Sequence, residues 1–299
     1  MKRSIAKRKL IRFSGVVPLT SFTGVLWDAD GPIHGSIETV SKLKRMGKQV
    51  FCATNNSSQT RDHYVKKCES YGYAAEKDEV LCTAYIAAKY LHASNFQGKV
   101  YMIGGKDSMG AELDKVGIEY ICPGPDPLEG GNYSEWHTNM KLDPEVKCVL
   151  VGYDPDFSYM KMMRAASYLK NPDCLYLVTN EDNTFPVKDP NFCIPDVGCI
   201  SKPISMASGR VPIVMGKPTR NMFEVLRKIH NLDPPRCMMV GDRKDTDMMF
   251  AKNCGMRSLL VLSGISTIAD IKQTSGKSGM EGAQPDFYAE SLASLGAFI

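Results

Sequence analysis

Residues 25–36 read VLWDADGPIHGS. An apolar run ends in two aspartates one residue apart, Asp28 and Asp30, and a glycine follows at once. The run GVLW at 24–27 reads as a strand buried on both faces. Ser36 reads as the N-cap of a helix with Ile37, Val40, Leu43 and Met46 on one side and Gly47 past its end. Carboxylates delivered between a strand and a helix lie where open α/β sheets bind ligands, outside the carboxyl ends of the strands.

The same pattern continues along the chain. Short apolar runs at 49–54, 99–104, 147–152, 174–179, 211–216, 236–241 and 258–264 alternate with periodic segments. One such segment opens at Pro218 and carries Met222, Phe223, Leu226 and Ile229 on one face. This predicts an α/β fold with a parallel, Rossmann-like core sheet and right-handed crossovers. Residues 122–145 are rich in Pro, Gly and polar residues and read as a long loop, and a second α/β set follows to about residue 206. The expected organisation is a basic arm at 1–23, a core of 24–97 and 207–299, and an α/β cap domain inserted at 98–206.

The 299 residues suffice for roughly two domains. Six of the 37 basic residues and none of the 33 acidic ones fall in residues 1–23, so the body is close to neutral. That argues against a nucleic-acid-binding body. The arm reads as a solvated lead-in or, alternatively, as a mitochondrial transit segment. The ten cysteines stand singly with no zinc spacing, which fits a reduced, cytoplasmic setting. No apolar stretch reaches membrane-spanning length.

Four expected strands end in polar groups that make sense together: Asp28 and Asp30; Thr54, Asn55 and Asn56; Lys217; and Asp242 with Asp247. Each taken singly has a bland reading as a cap, a surface group or a first-turn carboxylate. Their joint occurrence predicts convergence at one sheet edge. So many carboxylates need a counter-charge beyond Lys217, and Mg2+ is the usual choice where phosphate is also present. Neither a calcium loop nor a P-loop is present.

These motifs, with TNNSS (54–58), VGYDPDFSYMKMMRAASYL (151–169), TNEDN (179–183), GKP (216–218) and MVGDRKDTDM (239–248), resemble the haloacid dehalogenase (HAD) superfamily. They are similar in particular to its 4-nitrophenylphosphatase, phosphoglycolate phosphatase and pyridoxal phosphate phosphatase group. The resemblance covers roughly residues 20–290 and implies a Mg2+-dependent phosphomonoester hydrolase working through an aspartyl-phosphate. On it, Asp28 would be the nucleophile and Asp30 the proton shuttle. Asp28, Asp30 and Asp242 would seat the metal, with Asp247 orienting them. Lys217, Thr54, Asn55 and Asn56 would hold the phosphoryl group. A cap over the site would exclude macromolecules and select a small phosphorylated metabolite, and a homodimer through the cap is the oligomer it would allow.

Two departures bear on substrate. The loop after the aspartates is Pro32-Ile33-His34, and His34 reads either as a substrate contact or as an ordinary exposed histidine. Asp196-Val197-Gly198 replaces a Gly-x-Gly turn, so Asp196 either adds polarity to the specificity loop or caps the next helix. Tyr153 and Phe185 are further specificity candidates. Relatives selective for pyridoxal phosphate have a histidine at the position of Phe185, which favours phosphoglycolate or glycerol phosphate here. The competing reading is a catalytically silent paralogue that binds a phosphorylated ligand or a protein partner; a dehalogenase is disfavoured by the metal-type aspartates.

Overall fold

The computed structural model describes residues 3–4, 16–128, 131–185, 187, 189, 191–272, 284–297 and 299. The chain forms two compact units, the first comprising residues 1–54, 61–81 and 217–299, the second residues 55–60 and 82–216. Most of the expected basic arm lies outside the described residues.

The strands in chain order are β1 (Arg3–Ser4), β2 (Val17–Ser21), β3 (Phe51–Thr54), β4 (Val80–Cys82), β5 (Lys99–Ile103), β6 (Tyr120–Ile121), β7 (Val146–Val151), β8 (Leu175–Val178), β9 (Thr184–Phe185), β10 (Ile194–Pro195), β11 (Ile213–Val214), β12 (Cys237–Gly241), β13 (Arg257–Val261) and β14 (Phe287–Ala289). The large sheet has the order β1-β14-β13-β12-β2-β3-β4. β2 lies near its middle, parallel to β12 and β3, with Val240 opposite Thr20 and Ala53 opposite Ser21. The apolar runs of β12 and β13 are buried almost throughout, as a sheet covered on both faces requires.

The strand expected at 24–27 is not one. The backbone N–H groups of Val25, Leu26 and Trp27 all donate to the Phe22 carbonyl, which makes a turn. Gly24, at φ 77°, allows it. The apolar run marked burial correctly, with Val25, Leu26 and Trp27 each at most 2% exposed, but burial alone does not make a strand. The strand that enters the sheet interior is β2, inside the segment read as an arm. Its Pro18 argues against a central strand. Pairing with β3 begins only at Leu19, so the proline sits at the strand's start, where a missing N–H is tolerated.

The second unit has its own parallel sheet, β11-β8-β7-β5-β6, with a core that includes Tyr101, Val149, Val151, Tyr176, Val178 and Ile204. Its limits are wider than the expected 98–206. Helix Thr83–Ala93 belongs to it, and β11 joins it by pairing Ile213 with Leu177. The supposed long loop at 122–145 contains helix Tyr133–Asn139, started by Asn132, whose side chain accepts from the Ser134 and Glu135 N–H groups. The predicted helix after residue 36 is present as Ser36–Arg45, one residue offset, with Gly35 as its N-cap.

Candidate functional site

At the carboxyl edge of the large sheet, β2 ends at Ser21 and β12 ends at Gly241, followed by Asp242. Lys217 and Asp247 meet there as a buried ion pair at 2.8 Å, their side chains 6% and 2% exposed. Lys217 Nζ also donates to Ser21 Oγ at 2.7 Å and to the Ala53 carbonyl at 3.2 Å. Ser21 Oγ donates in turn to Asp247 Oδ1 at 2.9 Å. The other oxygen of Asp247 accepts from the backbone N–H groups of Asp242 and Arg243. Asp247 therefore ties the end of β12 to β2.

Asp242 is buried and accepts from the Ile265 N–H at 3.0 Å. Burial, and next the charge of Asp247, push its pKa from the ordinary 3.8 up to about 6; the Ile265 N–H and Lys217 oppose the rise. A carboxylate held in this way gains from any cation brought to it.

Asp28 and Asp30 lie in a hairpin that follows Trp27. Trp27 and Pro32 form an antiparallel bridge, and the Asp28 N–H donates to the Gly31 carbonyl at 2.9 Å. Both aspartates lie exposed at the tip of this hairpin, and Asp28 Oδ1 accepts from the Asp30 N–H at 2.7 Å. The carboxylate of Asp28 thus stabilises its own turn. The expected metal seat of Asp28, Asp30 and Asp242 is not assembled: among the described residues no three His, Cys, Asp or Glu side chains converge on a common point. The donor set, as placed, does not fit the Mg2+ site drawn from the sequence.

Thr54 ends β3, half-buried, in the first unit. Asn55 and Asn56 belong to the second unit. Asn55 donates to Asp182 at 2.9 Å, and its carbonyl accepts from Thr83. Asn56 Oδ1 accepts from the N–H and hydroxyl of Ser58, closing a turn. His34 is exposed. In the second unit Tyr153 and Phe185 meet edge to face, with ring centres 5.0 Å apart. Asp196 is the N-cap of helix Val197–Ser208, accepting from the Val197 N–H, and it also takes a hydrogen bond from Asn180. Of its two readings, capping is the one observed.

Sequence reasoning missed Ser21. Its signal was the apolar run VVPLT at 16–20, which Pro18 and the neighbouring basic residues disguised.

Two family models cover this architecture. Residues 19–119 match haloacid dehalogenase-like hydrolase, and residues 214–295 match HAD-hydrolase-like. The chain belongs to the haloacid dehalogenase-like hydrolases. It is 36% identical to a glycerol-3-phosphate phosphatase of Rattus norvegicus, over 99% of this chain and 94% of that one. To a 4-nitrophenylphosphatase of Schizosaccharomyces pombe it is 37% identical, over 91% and 90%. A p-nitrophenyl phosphatase structure from Archaeoglobus fulgidus superposes with a TM-score of 0.78 at 26% identity, covering 94% of this chain and 98% of that one. The first match begins at residue 19, within β2, and takes in both the SFTG segment and the Asp28 hairpin. No helix among the described residues is long and apolar enough to cross a membrane.

Proposed function

We propose that the carboxyl edge of the large sheet receives the phosphoryl group of a small phosphorylated metabolite, on which the chain acts as a phosphatase of this family. One observation carries the proposal: the buried Lys217 ammonium, fixed by Asp247, Ser21 Oγ and the Ala53 carbonyl at the end of β2. A cation fixed at a sheet edge attracts phosphoryl oxygens through its charge. Near full-length similarity to proteins named glycerol-3-phosphate phosphatase and 4-nitrophenylphosphatase supports a phosphomonoester as the ligand.

Among metabolites, glycerol phosphate and phosphoglycolate are proposed ahead of pyridoxal phosphate. This rests on the resemblance, in which relatives selective for pyridoxal phosphate have a histidine at the position of Phe185; a phenylalanine has no donor or acceptor for a ring substituent. A buried ligand group left unpaired costs about 1–3 kcal/mol, roughly ten- to a hundredfold in discrimination. The aspartyl-phosphate route through Asp28 with Mg2+ remains a proposal from resemblance, and the exposed hairpin lends it no support.

The competing second reading, a catalytically silent paralogue, would bind a phosphomonoester with little turnover. Phosphate release and calorimetric binding with glycerol 3-phosphate, phosphoglycolate, pyridoxal phosphate and 4-nitrophenyl phosphate, with and without Mg2+, test both. Hydrolysis of the aliphatic esters with the higher kcat/KM supports the first; binding alone supports the second. Absence of both for all four esters refutes the phosphomonoester proposal.

A further inference from the structure

Asn55, the residue after Thr54, is held from two sides within the second unit. Its Nδ2 donates to Asp182 Oδ2 at 2.9 Å, and the same oxygen accepts from Asn180 Nδ2 at 3.1 Å. Asn180 also donates to Asp196 at 3.2 Å, and its Oδ1 accepts from Thr179 Oγ1 at 3.1 Å. On the other side, the Asn55 carbonyl accepts from Thr83 Oγ1 at 2.7 Å. Thr83, Thr179, Asn180 and Asp196 are buried, and Asp182 is half-buried. Gly216, the residue before Lys217, packs against the same group. A methyl group on it would come within 2.7 Å of Asn55 Oδ1 and of the Thr179 carbonyl.

We infer that Asp182 is a positioning residue for the phosphoryl group: it holds the Asn55 side chain and, with Thr83, sets the Asn55–Asn56 peptide that addresses the phosphoryl oxygens. The inference rests on the phosphomonoester reading above and on the phosphoryl-holding part that the resemblance gives Asn55 and Asn56. The peptide unit is planar, so fixing the Asn55 carbonyl on Thr83 also fixes the direction of the Asn56 N–H, on the opposite side. Asp182 sets the other end of the same residue through its side chain. Apolar side chains of matching shape would stabilise this corner about as well as paired polar ones. What a connected polar network adds is a single arrangement of its members. Asp182 acts through Asn55 and needs no contact of its own with the ester.

The test compares Asp182→Leu, Asp182→Asn and Thr83→Val with wild type, each shown to be folded by circular dichroism. Each is titrated calorimetrically with glycerol 3-phosphate and with 4-nitrophenyl phosphate. Asp182→Leu removes the acceptor and is expected to raise Kd for both esters about tenfold, as loss of one hydrogen bond does. KM should rise with it while kcat changes less, the pattern of a contact made equally in the ground and transition states. Asp182→Asn keeps an oxygen for Asn55 Nδ2 and is expected within about threefold of wild type. Thr83→Val releases the Asn55 carbonyl and should weaken binding about fivefold. It takes the place of Asp182→Leu if that variant does not fold. A merely structural role would lower the urea midpoint and leave the Kd of the folded protein unchanged. Wild-type binding by folded Asp182→Leu, or by Thr83→Val in its place, therefore overturns the inference alone. Asp182→Asn as weak as Asp182→Leu also overturns it, because the charge and not the hydrogen bond would then be what matters. Wild type that binds neither ester overturns the inference together with the phosphomonoester reading.

Discussion

Lys217→Met tests whether the buried pair organises the edge of the large sheet. Both side chains are almost fully enclosed, and removing one member of such a pair costs about 3–5 kcal/mol because the other charge stays buried. Asp247 keeps the Ser21 hydroxyl and two backbone N–H groups, so the loss falls at the lower end, about 3 kcal/mol. Asp247→Asn leaves Lys217 with Ser21 Oγ and the Ala53 carbonyl and is expected to cost a similar amount. The double variant buries neither charge and should cost less than the sum by about 2 kcal/mol. The chain has two tryptophans; Trp27 is buried in the first unit, and Trp136 belongs to the second. In a Trp136→Phe background, urea unfolding followed by Trp27 fluorescence reads the first unit alone. Additive losses, with coupling below about 0.5 kcal/mol, would refute the argument that the two charges hold each other in place.

Other outcomes follow from the same geometry. The pKa of Asp242 is raised on folding from 3.8 to about 6, so its contribution to stability is present below the lower value and lost as pH rises through the higher. Asp242→Asn should therefore gain on wild type as pH rises across that window, by up to about 3 kcal/mol, and urea midpoints that keep a constant gap contradict this. Gly24→Ala should destabilise the first unit by at least about 2 kcal/mol more than Gly31→Ala, because only the former meets Asp242; equal urea midpoints would show that the carboxylate yields freely. Brief alkylation of the native chain should label the exposed Cys193 and Cys199 well before the buried Cys148, whose thiol burial pushes to higher pKa. Peptide mapping with Cys148 modified first would contradict the packing of β7.

Much of this protein was legible in its sequence, for identifiable reasons. Continuous apolar runs at 236–241 and 258–264 became β12 and β13, since a strand buried on both faces leaves no polar alternation to misread. Asp242, Asp247 and Lys217 stood out as candidates because they follow buried strands, where open α/β sheets bind ligands, and the structure places Lys217 and Asp247 in one buried pair. Which segment forms the central strand was decided only in three dimensions. VPLTS and GVLW are both short apolar runs, and local pattern cannot rank them. The first pairs with β12 and β3; the second folds back on the Phe22 carbonyl. That choice moves the strand end from Asp28 to Ser21 and leaves the aspartate pair on an exposed hairpin. Spacing along a chain records which groups are near one another locally. Which of two similarly spaced groups faces Lys217 and Asp242 depends on strand pairing across more than two hundred residues, and only the assembled sheet contains that information.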